Sequence, residues 1–116
     1  MTHDVAEESI VFIYTTAPSL EVARQLAKAV VAARLAACAN MLPGMEAIYE
    51  WQGTLQQEAE VAVLFKTRAA CVAAAMDMIA ANHPYDTPAI TAFTALDAAP
   101  DFAAWIIAQT TRQSSS

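Results

Sequence analysis

The run Met45-Glu46-Ala47-Ile48-Tyr49-Glu50-Trp51, the triplet Gln52-Gly53-Thr54, and the run Glu60-Val61-Ala62-Val63-Leu64-Phe65-Lys66 together decide the fold. Met45, Ala47, Tyr49 and Trp51 alternate with Glu46, Ile48 and Glu50, the period of two that a pleated strand imposes. Gln52-Gly53-Thr54 supplies turn chemistry, and Val61, Val63 and Phe65 then alternate with Glu60, Ala62, Leu64 and Lys66, so the segment reads as a hairpin. Upstream, Ala37-Cys38-Ala39-Asn40-Met41-Leu42 is apolar and is interrupted by Pro43-Gly44, which predicts one long strand carrying a bulge. Strands this long exceed the usual five or six residues. Their ends are expected to project past the domain and pair with a neighbour's edge.

Outward from the hairpin, Ile10-Val11-Phe12-Ile13-Tyr14-Thr15 is β-branched, aromatic and closed by Pro18, as expected of a central strand buried on both faces. Ser19 offers an N-cap to a helix of about four turns, in which Val22, Leu26, Ala29, Val30 and Ala33 recur at helical spacing. Glu21 in its first turn and Arg34 in its last complement the helix dipole. Thr67 is placed to cap a second helix with Val72, Ala75, Met76 and Ile79 on its apolar face, ended by Asn82-His83-Pro84. Residues 89–96 read as a fourth strand. A short terminal helix begins at Pro100 and is expected to dock through Phe102, Trp105 and Ile106. The order β-α-β-β-α-β with a C-terminal helix is an α+β, ferredoxin-like arrangement, with helices on one face of an antiparallel sheet and the other face left for another subunit. Residues 9–111 form the expected single domain, between loose tails at 1–8 and 112–116.

The chain has 116 residues, 57% of them hydrophobic and 16% charged, which excludes a disordered chain and, in so short a domain, points to oligomerisation. Net charge is −6 and the six basic residues are scattered, so no phosphate-binding stripe exists and nucleic acid is not an expected partner. No apolar run approaches the ~20 residues that span a bilayer, and no basic segment followed by an apolar one opens the chain, so a cytoplasmic protein without membrane insertion is expected. Cys38 and Cys71 are expected to be reduced. Neither belongs to a C-x-x-C pair, which argues against a copper chaperone.

A family resemblance rests on Arg34-Leu35-Ala36-Ala37-Cys38-Ala39-Asn40, Leu42-Pro43-Gly44, Tyr49 with Trp51 and Gly53, Lys66-Thr67-Arg68, and His83-Pro84-Tyr85-Asp86 with Pro88. In order and spacing, from about Ile10 to Trp105, these closely resemble the CutA (divalent-cation tolerance) family. The resemblance implies a ferredoxin-like protomer, a homotrimer built by strand exchange between hairpins, a PII-like architecture, and an association with tolerance of copper and other divalent cations. It also implies an inter-subunit ligand cleft for a small ion or molecule, lined by Tyr49, Trp51, Lys66, Arg68, Tyr85 and Asp86. Two departures stand out. Copper-binding members resemble one another in a cysteine at the end of the first strand and two adjacent histidines before Pro-Tyr, where this chain has Thr15 and Asn82-His83; and Ala89 replaces the usual glutamate after Pro88.

His83 and Cys38 are the candidate ligands for copper or another divalent cation, because imidazole and thiolate suit such metals. One histidine is not a site, and Cys38, Asp86 and Glu58 are the groups that would have to join it. The alternatives are helix C-capping by His83 and an inert buried thiol at Cys38. Lys66 and Arg68, two residues apart and hence on one face, suit an anion, or else a salt bridge such as Arg68 with Asp86. Trp51 doubles as an interface anchor. A binding or signalling module, and no enzyme, is expected: no Ser-His-Asp ordering, paired-carboxylate signature or phosphate loop is present. The competing enzymatic reading, an acylphosphatase-like hydrolase, has only fold analogy and the pair Arg68 and Asn40 behind it.

Overall fold

Strand β1 (Ile10–Ala17) forms where the sequence is β-branched and ends at Pro18, and Ser19 caps helix α1 (Leu20–Ala32) by accepting the Val22 N–H at 3.2 Å. This architecture comes from a computed structural model that describes residues 6–111. The expected tails at 1–5 and 112–116, with His3, lie outside the described residues. Within the expected tail at 1–8, the carbonyl of Glu7 accepts the Ala70 N–H at 3.0 Å, and the neighbouring Ser9 carbonyl accepts the Ala69 N–H at 2.9 Å.

The other elements are β2 (Cys38–Trp51), β3 (Thr54–Arg68), a 3-10 turn at Ala69–Cys71, α2 (Val72–Asn82), β4 (Ile90–Thr94) and α3 (Pro100–Thr111). All strand pairs are antiparallel, in the sheet order β2-β3-β1-β4, and the result is the expected α+β, ferredoxin-like fold. The β2–β3 turn is tight because Gln52 and Gly53 both take positive φ, 51° and 79°, the geometry whose twist matches a two-residue hairpin. In β2 the register slips between Leu42 and Met45, with Pro43 and Gly44 opposing Val61 alone. Gly44 takes φ 82° at this bulge, a conformation glycine adopts without steric penalty.

One sheet face carries Ile13, Ala17, Val61, Val63 and Phe65 against Ala23, Leu26 and Val30 of α1 and Ala75 and Ile79 of α2. Ile13, Val63 and Phe65 are fully buried, each large side chain contributing roughly 1.5–3 kcal/mol. The opposite face is not left wholly to another subunit. Helix α3 covers one end of it, where Ile106 packs with Ile10, Ala37, Phe12 and Phe102. Trp105 does not dock as expected: it is 43% exposed and stacks on Phe102, while Ile106 and Thr110 are the buried residues of α3.

Two capping assignments change. Arg34 lies beyond α1 at φ 62° and donates from Nη1 to Gln109 Oε1 at 2.7 Å, tying the end of α1 to α3 instead of complementing the dipole. Thr67 stays in β3 and donates to the Leu35 carbonyl at 2.7 Å, so it caps no helix. The hairpin outruns the sheet. β1 pairs with β3 only over Val61–Arg68, which leaves Met45–Trp51 and Thr54–Glu60 as a two-stranded arm with no third strand among the described residues.

Candidate functional site

A cleft of about 700 Å3 opens between one face of this arm and the loop after α2. Because the bulge resets the alternation, Tyr49 and Trp51 share a face with Gln56, Glu58 and Glu60, and that face looks across to Pro84, Tyr85, Asp86 and Thr87. Thr16, at the end of β1, closes the cleft beside them.

His83 holds the loop in place. The Tyr85 N–H donates to its Nδ1 at 3.2 Å, which leaves the proton on Nε2, and Nε2 donates to the Thr16 carbonyl at 2.7 Å. The two rings pack with centroids 4.8 Å apart. From this anchorage the Tyr85 hydroxyl reaches β3 and donates to Glu60 Oε2 at 3.3 Å. Burial, then the Glu60 carboxylate, raises the Tyr85 phenol above its ordinary value, and burial followed by Glu58 does the same at Tyr49. Both phenols therefore stay protonated beside the carboxylates.

Of the six residues expected in one cleft, Tyr49, Trp51, Tyr85 and Asp86 come together, while Lys66 and Arg68 lie toward the other end of β3 under α3. The Lys66 ammonium sits 5.6 Å from the Phe12 ring centroid and 5.5 Å from that of Phe102, a cation–π sandwich. Arg68 bonds neither Asp86 nor an open anion site: Nε donates to Thr110 Oγ1 at 3.0 Å and Nη2 to the Thr110 carbonyl at 3.2 Å. Its guanidinium clamps α3, which removes the arginine an acylphosphatase-like reading with Asn40 requires. Thr16, Gln56 and Glu60 are lining residues that the sequence did not single out; the same-face spacing of Glu58 and Glu60 was the available signal.

The candidate metal ligands do not converge within the chain. Both nitrogens of His83 already have partners, so coordination there would displace one of these hydrogen bonds. Asn82 turns back to donate to the Met78 carbonyl at 2.8 Å. Cys38 pairs across the sheet with Lys66, itself opposite Phe12, four residues along β1 from the Thr16 that His83 contacts, or about 13 Å of strand. Its half-buried thiol is raised above the usual value by burial, which Lys66 only partly opposes. No group of three His, Cys, Asp or Glu side chains placed to hold a metal ion occurs among the described residues. The described residues of one protomer thus do not fit a metal centre.

Residues 11–109 match the family described as CutA1 divalent ion tolerance protein. The chain belongs to the CutA1 family. It is 36% identical over 105 residues to the divalent-cation tolerance protein CutA of Salmonella newport, covering 90% of this chain and 91% of that one. Identity to the chloroplastic protein CutA of Arabidopsis thaliana is 33% over 96 residues, 83% of this chain but only 53% of the longer plant protein. Among solved structures, CutA from Xylella fastidiosa superposes with a TM-score of 0.86 at 34% identity, covering 88% of this chain and 98% of that one. The CutA1 description names tolerance of divalent ions and no reaction. Among the described residues, no helix is long and apolar enough to cross a membrane.

Proposed function

We propose that this CutA1 chain acts as a homotrimeric divalent-cation response module, binding or signalling through the cleft of Tyr49, Trp51, Tyr85 and Asp86. The observation that carries the proposal is the unpaired arm and the apolar surface around it. Opposite the cleft, the arm exposes Ile48 (66%) and Leu55 (73%), and the uncovered end of the sheet adds Leu42 and Phe93. A two-stranded ribbon is marginal by itself, and a third strand from a neighbouring copy would satisfy its open edges while burying these side chains. Three-fold closure would place each cleft beside a subunit boundary, the PII-like arrangement that the family resemblance implies. The two unpaired cysteines suit a reducing compartment, and the cytoplasm is the location we propose.

Copper is the divalent ion to test, by calorimetric titration of reduced, metal-free protein with the native mass measured on the same sample and His83→Ala alongside. A trimer that binds copper(II) tightly, with binding lost in the variant, supports the whole reading. A monomer overturns the assembly. Weak binding indifferent to the substitution removes His83 as a ligand and leaves a trimeric module whose ligand is not this ion.

A further inference from the structure

We propose that the cleft binds a small aliphatic diammonium ion, held between the carboxylates of Glu58 and Glu60 and the rings of Tyr49, Trp51 and Tyr85. This rests on reading the cleft as the ligand site of the trimer, and names the chemical class of its ligand. Every charged residue that lines it, Glu58, Glu60 and Asp86, is acidic, with no Lys, Arg or His among the described lining residues. The carboxylates do not gather into a cage for a bare divalent ion, since no metal-holding group of three occurs among the described residues. They are spread along a wall faced with aromatic rings. That pattern recognises an organic cation, whose methylenes pack on the rings while its ammonium groups meet carboxylates and ring faces.

Spacing sets the ligand's length. Glu58 and Glu60 share a face of β3, so their Cα atoms lie roughly 6.6 Å apart, two strand rises, a separation that a four-carbon diamine spans. A second feature points into the same space. The Thr16 side chain is nine-tenths buried, lies on the cleft face opposite Ala62, and its hydroxyl has no hydrogen-bond partner among the described residues. An ammonium N–H, which can only donate, would complete it. The protonated phenols of Tyr49 and Tyr85 beside Glu58 and Glu60 agree with a cleft of negative potential.

The test uses Trp51 fluorescence in the full chain carrying Trp105→Phe, which leaves Trp51 as the sole tryptophan. The probes are 1,4-diaminobutane, the neutral 1,4-butanediol, and inorganic phosphate, with native mass checked on each sample. The expected result is a saturable response to the diamine and none to the diol. Apparent affinity should fall at least tenfold in Glu58→Gln/Glu60→Gln, and several-fold in Thr16→Val, which leaves the charge unchanged. No saturable response to the diamine, or one unchanged in both variants, overturns the proposal. Saturation by phosphate alone would keep the cleft as a ligand site and overturn the cationic class, whereas a monomeric native mass would strike the assembly reading instead.

Discussion

Replacing Thr15 with valine should stabilise the protein. Thr15 is fully buried on the helix-facing side of β1, between Val63 of β3 and Ile90 of β4, and its Oγ1 is buried without a hydrogen-bond partner. Leaving a hydroxyl unsatisfied in an apolar core costs about 1–3 kcal/mol, and valine fills the same volume with a methyl group in its place. A gain of about 1–2 kcal/mol follows. With a urea slope of roughly 2 kcal/mol per molar, usual for a small protein, the unfolding midpoint should rise by about 0.5–1 M. The comparison is made at one subunit concentration, because association shifts apparent stability by mass action. Thr15→Ser is the control: it keeps the hydroxyl, deletes the methyl, and should lower stability by about 1 kcal/mol. A valine variant with an unchanged or lower midpoint would refute the reasoning, since the hydroxyl must then have a partner such as a buried water.

Arg68→Ala removes both hydrogen bonds to Thr110 and should cost about 1–2 kcal/mol, with amide exchange in α3 accelerating before that in β1. Gln52→Asn places a residue that tolerates positive φ at the first turn position, recovering part of the roughly 1 kcal/mol a larger side chain costs there; thermal unfolding at fixed concentration measures the gain. Because the folded Tyr85 phenol is raised above the unfolded value of 10.0, first by burial and then by Glu60, the folded state keeps a proton that the unfolded chain loses. The associated stability is complete below pH 10 and is lost as pH climbs through the folded value. Urea midpoints from pH 8 to 11 should fall more steeply for the parent than for Tyr85→Phe.

The hairpin was legible because alternation survives along it: Val61, Val63 and Phe65 fall on the helix-facing side as their spacing implies, and Pro43-Gly44 marks the bulge, while β1 was legible from its β-branched, continuously apolar run. Ser19 was legible as a cap because its partner lies three residues away. The contacts of Arg34, Lys66 and Arg68 were not, since each is met by α3 at residues 36 to 75 positions distant: Gln109, Phe102 and Thr110. Same-face spacing placed Lys66 and Arg68 correctly on the sheet yet carried no information on whether a helix lay over them. His83 looked like a ligand because histidine chemistry admits it. Its role as the fastener between β1 and Tyr85 depends on Thr16, 67 residues earlier, which no local pattern could disclose.

The bulge at Pro43-Gly44 is the place where β2 can change length without turning the arm over. Upstream of it Cys38, Asn40 and Leu42 pair with Lys66, Leu64 and Ala62, the same side of the sheet that Met45, Tyr49 and Trp51 occupy downstream, so the extra residue converts even-numbered positions into odd ones. Losing Gly44 while the turn kept its place would straighten the strand, with Pro43 alone facing Val61, and would leave Tyr49 and Trp51 in the cleft, because their β3 partners Gln56 and Thr54 fix the side they occupy. Reversing the arm takes a one-residue slip of β2 against β3, which would carry Ile48 into the cleft and Tyr49 and Trp51 out of it. The bulge absorbs a change of one codon that would force such a slip within the paired arm itself. In any lineage descended from this chain, length changes in β2 should therefore gather at Pro43-Gly44 and at the Gln52-Gly53 tip, and be absent from the paired run between them.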